Sequence, residues 1–197
     1  MQQGAWVTPF TERLYEKYKG EISVCNLGIG GNRLLHNSPP MYKGLYGHAG
    51  MERYQYDLLP LNGLTHVILA LGTNDIGLPG KDAVPEDELI CLQDYITAVT
   101  TLVEDLRRQG VKKVFGAQLL PREINHVYNE QREKLRLSIN EWIRTAELFD
   151  AVLDLGAPIA DTDGIGMKKE FAMPDGLHPN KAGGKAIAAA IGLALFA

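Results

Sequence analysis

His66-Val67-Ile68-Leu69-Ala70-Leu71-Gly72-Thr73-Asn74-Asp75 is the stretch on which the fold turns. Val67 to Leu71 is unbroken by polar residues, which is how a strand buried on both faces of a parallel sheet reads. Outward from it, Ile22-Ser23-Val24-Cys25, Lys113 to Ala117 and Val152-Leu153 read as further short strands. Amphipathic segments separate them. Pro9 to Tyr18 puts Phe10, Leu14 and Tyr18 on one stripe, and Met51 to Leu59 is a short helix stopped by Pro60. Glu86 to Gln109 carries Leu89, Leu92, Ile96, Val99, Val103 and Leu106 at helical spacing and ends at Gly110. Asn129 to Phe149 turns Leu135, Ile139, Trp142 and Ile143 inward, and Asn180 caps a last helix running to Leu195. This alternation predicts an α/β fold with three layers, α/β/α, around a mostly parallel sheet. Ligands of such sheets bind just beyond the carboxyl ends of the strands.

The chain has 197 residues, enough for one domain over residues 1–197. With 45% hydrophobic and 22% charged residues it falls outside the disordered and coiled-coil classes. Twenty Lys and Arg against 24 Asp and Glu give a net charge of -4, and no basic run offers a nucleic-acid footprint. Cys25 and Cys91 cannot make a disulfide framework, which favours a reducing compartment. The longest apolar stretch, Ala186 to Ala197, is too short for a bilayer. Met1 to Trp6 has neither a basic nor an apolar leader region. As written, the chain therefore reads as cytoplasmic, with no membrane partner.

Three segments carry polar groups just after expected strands or before the last helix. In Asp175-Gly176-Leu177-His178-Pro179-Asn180, an Asp three residues before a His can turn its carboxylate onto the imidazole Nδ1 and leave Nε2 as a base. Pro179 holds His178 out of the helical region. In Gly72-Thr73-Asn74-Asp75, Asn74 offers a neutral NH₂ donor of the kind that suits an oxyanion hole. In Asn26 to Arg33, glycines let backbone N–H groups approach a ligand, while the phosphate-binding signatures are absent because position 33 is Arg. Each segment alone is more often an ordinary turn.

Taken in order, Gly-Ile-Gly-Gly-Asn (28–32), Gly-Thr-Asn-Asp (72–75) and Asp-Gly-Leu-His-Pro-Asn (175–180) resemble blocks two, three and five of the SGNH (GDSL) hydrolase superfamily. Gly28 to Leu35 further resembles its carbohydrate-esterase branch. The resemblance spans essentially the whole chain and implies the flavodoxin-like SGNH fold with hydrolysis of a carboxylic ester through an acyl-enzyme, here of acetylated carbohydrate. It implies that Asp175 and His178 are triad members and that the Gly31 N–H and the Asn74 side chain hold the oxyanion. Gly30, Asn32 and Arg33 are the expected substrate contacts. No cofactor is implied.

One block departs from the pattern. The family's nucleophile lies in Gly-Asp-Ser at the end of its first strand, and no Gly-Asp-Ser occurs here. Gly4 to Phe10 resembles the segment just downstream of that Ser. Ser23, Ser38 and Ser138 are the only serines. Ser138 reads as mid-helix, Ser23 as inside a strand and Ser38 as a turn residue. The chain is thus expected to lack the family's first strand, to be N-terminally truncated relative to the family, and to be nearly inactive. A start at an internal Met of a complete esterase accounts for this; a natural non-catalytic carbohydrate-binding relative, or an acyltransferase on the same scaffold, are the alternatives. A missing central strand leaves backbone groups unpaired, so a homo-oligomer or a rearranged sheet is expected.

Other features read as structural. His36, His48, His66 and His126 form no metal-ligand spacing, and Asp161-Thr162-Asp163-Gly164 lacks the later ligands of a calcium loop. No metal site is expected. Tyr42, Tyr46, Tyr54 and Tyr56 cluster in sequence near the glycine loop and suit either packing or stacking on a sugar.

Overall fold

The computed structural model describes residues 5–81 and 84–197; Met1 to Gly4, part of the N-terminal reading above, lie outside the described residues. These residues form two compact units.

The larger unit comprises 27–119 and 125–152. It is built on a parallel sheet of order β1-β2-β3, with β1 at His66–Leu69, β2 at Lys113–Ala117 and β3 at Ala151–Leu153, whose last residue falls to the other unit. His66 pairs with Lys113 and Leu69 with Gly116. Around the sheet stand α2 (Gly50–Asp57), α3 (Thr73–Gly77), α4 (Leu92–Arg108) and α5 (Glu130–Thr145). α4 buries Tyr95, Val99, Leu102, Val103 and Leu106, each aliphatic side chain contributing about 1.5–3 kcal/mol of burial. Asn129 caps α5, its side chain accepting from the Gln131 and Arg132 N–H groups.

The smaller unit consists of the N-terminal part through Asn26, Leu120–Ile124 and Leu153–Ala197. Its α1 (Val7–Tyr18) packs on α6 (Lys181–Ala190) and on a last 3₁₀ turn, Leu193–Phe196. Phe10 meets Phe196 edge to face at 5.2 Å. The Arg13 guanidinium donates to the Ala188 and Ile191 carbonyls that end α6, and Tyr18 donates to Leu193 O at 2.7 Å. A cation on terminal carbonyls is the favourable polarity for a helix end.

Three sequence expectations are corrected. Ile22–Cys25 is not a strand. Its side chains do alternate between half-buried and exposed, but no neighbouring strand pairs with them, and alternation without a ladder does not make a strand. β1 is not buried on both faces. Only Val67 is fully buried, because β1 is an edge strand of the sheet among the described residues. The long helix does not begin at Glu86. Glu86–Glu88 form one 3₁₀ turn after Pro85, and Leu89 and Cys91 are extended, so α4 starts at Leu92 with Asp94 capping the Cys91 N–H. Leu89 and Ile96 accordingly lie off the buried stripe, which runs through Tyr95, Ala98 and Leu102 instead. No helix among the described residues is long and apolar enough to cross a membrane.

Candidate active site

In the larger unit, β1 delivers the chain directly into α3, so Asn74 stands in the first turn beyond the strand. Its Nδ2 donates to the Asn32 carbonyl at 3.0 Å, which brings Asn74 beside Gly31 and the glycine loop. The far end of α3 is held by Arg132, whose Nη1 donates to Ile76 O at 2.9 Å and Pro79 O at 2.7 Å. Arg132 is itself buried and paired with Glu86 at 2.6 Å.

Asn32 and Arg33, expected as substrate contacts, are engaged inside the protein. Asn32 Nδ2 donates to the Tyr46 and His48 carbonyls, both at 2.7 Å, and its Oδ1 accepts from Arg53 Nε at 3.0 Å. Arg33 is buried, with Nη1 on Glu88 and Nη2 on Asn37 O, each at 2.5 Å. Both residues fold the loop. A short polar residue after glycines and a lone Arg are what such staples need, and sequence alone does not separate this from ligand binding. Gly30 is exposed.

Gly31 has φ +77°, and a Cβ there would lie 2.3–2.6 Å from the Tyr46 ring. No side chain fits. Gly31→Ala is expected to destabilise the protein by about 1–3 kcal/mol through the left-handed backbone alone, with the displaced ring adding to it. Thermal unfolding of the variant checks this.

The smaller unit holds Asp175 and His178 in one tight turn. Asp175 Oδ1 accepts the N–H groups of Leu177 and His178, both at 2.9 Å, and Oδ2 meets His178 Nδ1 at 2.7 Å. Gly176, at φ +63°, makes the bend, and its carbonyl accepts the Glu123 N–H at 3.0 Å. A Cβ at 176 would lie 2.4 Å from Glu123 Oε2. After Pro179, Asn180 caps α6 by accepting from Ala182 and Gly183.

Partial burial pushes the Asp175 carboxyl up, but the His178 N–H, the His178 ring and the Leu177 N–H together lower it to about 2. An ionised carboxylate only accepts, so His178 Nδ1 is the donor, and in the neutral ring the lone pair is then on Nε2. A depressed folded-state value stabilises above the unfolded one. The turn's contribution is therefore present above about pH 4 and lost as pH falls toward about 2. Acid unfolding monitored by the His178 ring signals should show that window, and Asp175→Ala should abolish it.

The serines each have a local setting. Ser138 Oγ donates to Lys134 O within α5, Ser38 Oγ accepts the Tyr46 N–H at 3.3 Å, and Ser23 is exposed in the irregular segment. Two further residues tie the site's segments down: Asp75 accepts the Leu34 and Leu35 N–H groups, and the Glu123 N–H bonds the Gly176 carbonyl of the Asp175–His178 turn. Asp75 had a signal in the sequence: a carboxylate leading straight into Ile76-Gly77-Leu78, a stretch without polar side chains.

A parallel α/β fold with an amide-bearing corner after a strand and an Asp-His turn before the last helix is the SGNH type of hydrolase. The model of the GDSL-like lipase/acylhydrolase family matches residues 1–186, and the chain belongs to that family. No curated protein matches it in sequence. Among solved structures, the fold is similar to that of Axe2, an acetylxylan esterase from Geobacillus stearothermophilus, at TM-score 0.67 and 18% identity, covering 94% of this chain and 78% of that one. It is also similar to LAE5, an alpha/beta hydrolase enzyme from the metagenome of Lake Arreo, at TM-score 0.69 and 18% identity, covering 95% and 79%.

Proposed function

We propose that this chain carries the acid–base and oxyanion-binding parts of a serine-type carboxylic ester hydrolase that acts on acetylated carbohydrate. The observation that carries the reading is the Asp175–His178 pair: a carboxylate fixed by two backbone N–H groups holds Nδ1 at 2.7 Å. In this reading Nε2 takes the proton of an attacking hydroxyl and returns it to the leaving alcohol. Gly31 N–H and Asn74 Nδ2 stabilise the oxyanion. Family membership supports ester hydrolysis; the resemblance of Gly28–Leu35 to carbohydrate esterases supports the sugar. The acyl-enzyme requires a nucleophile that residues 1–197 do not supply, so these residues alone are expected to be nearly inactive.

The test compares residues 1–197 with a form extended upstream by a strand ending in Gly-Asp-Ser, using p-nitrophenyl acetate and acetylated xylooligosaccharides. The extended form is expected to exceed the short one by about 10⁶ in turnover, the scale of losing a serine nucleophile. Equal activity overturns the reading. Sugar binding without hydrolysis by the extended form favours a carbohydrate-binding role, and acetyl transfer to an added alcohol favours a transferase.

A further inference from the structure

Asp75 is a carboxylate with no exposed surface, and among the described residues no side-chain cation is bonded to it. Its two oxygens go instead to two consecutive backbone donors, Oδ2 to Leu34 N–H at 2.7 Å and Oδ1 to Leu35 N–H at 2.9 Å. Burial pushes its pKa up, and these two N–H groups, with Arg33 and His36, work against that. A buried carboxylate is an expensive way to satisfy two amides unless its placement matters.

Its placement is informative. Asp75 follows Asn74 in α3, while Leu34 and Leu35 continue the loop that holds Gly31. The two oxyanion donors of the proposed function thus sit on separate segments, which the Asp75 pair and the bond from Asn74 Nδ2 to Asn32 O tie together. The last of these uses one N–H of the Asn74 amide and leaves the second for a ligand. Only Asp has the required reach with two acceptors. Asn would turn an NH₂ toward one of the two N–H groups, and Glu would carry its oxygens one methylene further.

We propose that Asp75 is the positioning residue of the oxyanion donors, holding Gly31 N–H and Asn74 Nδ2 in register through Leu34 and Leu35. This inference rests on the reading of Gly31 and Asn74 as oxyanion donors. It goes beyond that reading in assigning the geometry of both donors to one buried side chain.

The experiment is an NMR titration of the ¹⁵N-labelled chain with ethyl methylphosphonate, a tetrahedral monoanion. In the unsubstituted protein the Gly31 amide and the Asn74 side-chain signals are expected to shift saturably. Asp75→Asn should weaken that binding at least tenfold. Val103→Ala, a core truncation in α4 at a residue 1% exposed, serves as the stability control and should bind like the parent when both are folded. If the parent shows no shift at Gly31 and Asn74, the oxyanion reading itself fails. If the parent binds and Asp75→Asn binds equally, or Val103→Ala weakens as much, the positioning role is overturned. Should Asp75→Asn not fold, Asp75→Ser, which keeps one acceptor, takes its place with the same expected loss. Failure of both to fold makes Asp75 a requirement of the fold and also overturns the proposal.

Discussion

In a form of the protein extended by a Gly-Asp-Ser strand, His178→Ala is expected to lower kcat on p-nitrophenyl acetate about 10⁶-fold, equivalent to about 8 kcal/mol of barrier. The reason is the proton inventory. A serine hydroxyl is a poor nucleophile until a base takes its proton, and His178 is the imidazole whose tautomer the protein fixes. Asp175→Asn should cost less, about 10⁴-fold. Asn keeps an oxygen at the Oδ1 position, so the Leu177 and His178 N–H groups retain their acceptor and the turn survives. Its NH₂ then faces Nδ1, which must accept, and the proton moves to Nε2, where a base is needed. The double variant should be no slower than His178→Ala, because groups that act as a unit do not add. Retention of activity within tenfold by His178→Ala would remove this histidine from the mechanism. Circular dichroism spectra of all three variants should match the parent.

What the sequence made legible followed from periodicity and local chemistry. β2 and β3 were readable because apolar runs bounded by polar residues have few alternative conformations. The cap at Asn180 was readable because a side chain that accepts N–H groups two and three residues ahead needs no tertiary partner. The Asp175–His178 contact is likewise local, three residues apart. What failed depended on partners far along the chain. Ile22–Cys25 has strand composition but no strand to pair with, and β1 has the composition of a doubly covered strand at a sheet edge. The bonds of Asn32 and Arg33 to Tyr46, His48, Arg53 and Glu88 span 14 to 55 residues, so no local pattern announces them. The setting of Asp75 is not legible in its motif, since the N–H groups that its oxygens accept lie 40 and 41 residues back along the chain. The same applies to α5, where Leu135, Ile139, Trp142 and Ile143 were read as the inner face. Ile139 and Ile143 are buried, but so are Arg132, Glu133 and Arg136, which periodicity assigns to solvent.

That buried polar face supports the second large expectation: Glu133→Gln should destabilise the protein by about 3–5 kcal/mol, the cost of stranding a buried charge. Glu133 and Arg136 have side chains 6% exposed each. Arg136 Nη2 and Nε reach the two carboxylate oxygens at 2.5 and 2.8 Å, and Tyr128 donates to Oε2 at 2.8 Å. Burial alone would push Arg136 toward losing its proton, but the bond and charge of Glu133, with Tyr128, hold its pKa above the ordinary range. Glu133→Gln removes that support, yet a guanidinium stays protonated in a protein, so a buried positive charge is left facing a neutral amide. At about 2–4 °C per kcal/mol for a chain of this size, the melting temperature should fall by roughly 10 °C. The triple variant Tyr128→Phe, Glu133→Leu, Arg136→Met removes the charges together and should recover most of the loss, since apolar replacements of buried ion pairs are often neutral or better. Arg136 also donates to Leu119 O, yet that carbonyl keeps Asn140 Nδ2 at 3.0 Å, so the triple variant leaves no orphan there. A single variant within 1 kcal/mol of the parent by urea unfolding would show that no buried charge is stranded, and a triple variant no more stable than the single would place the cost in packing.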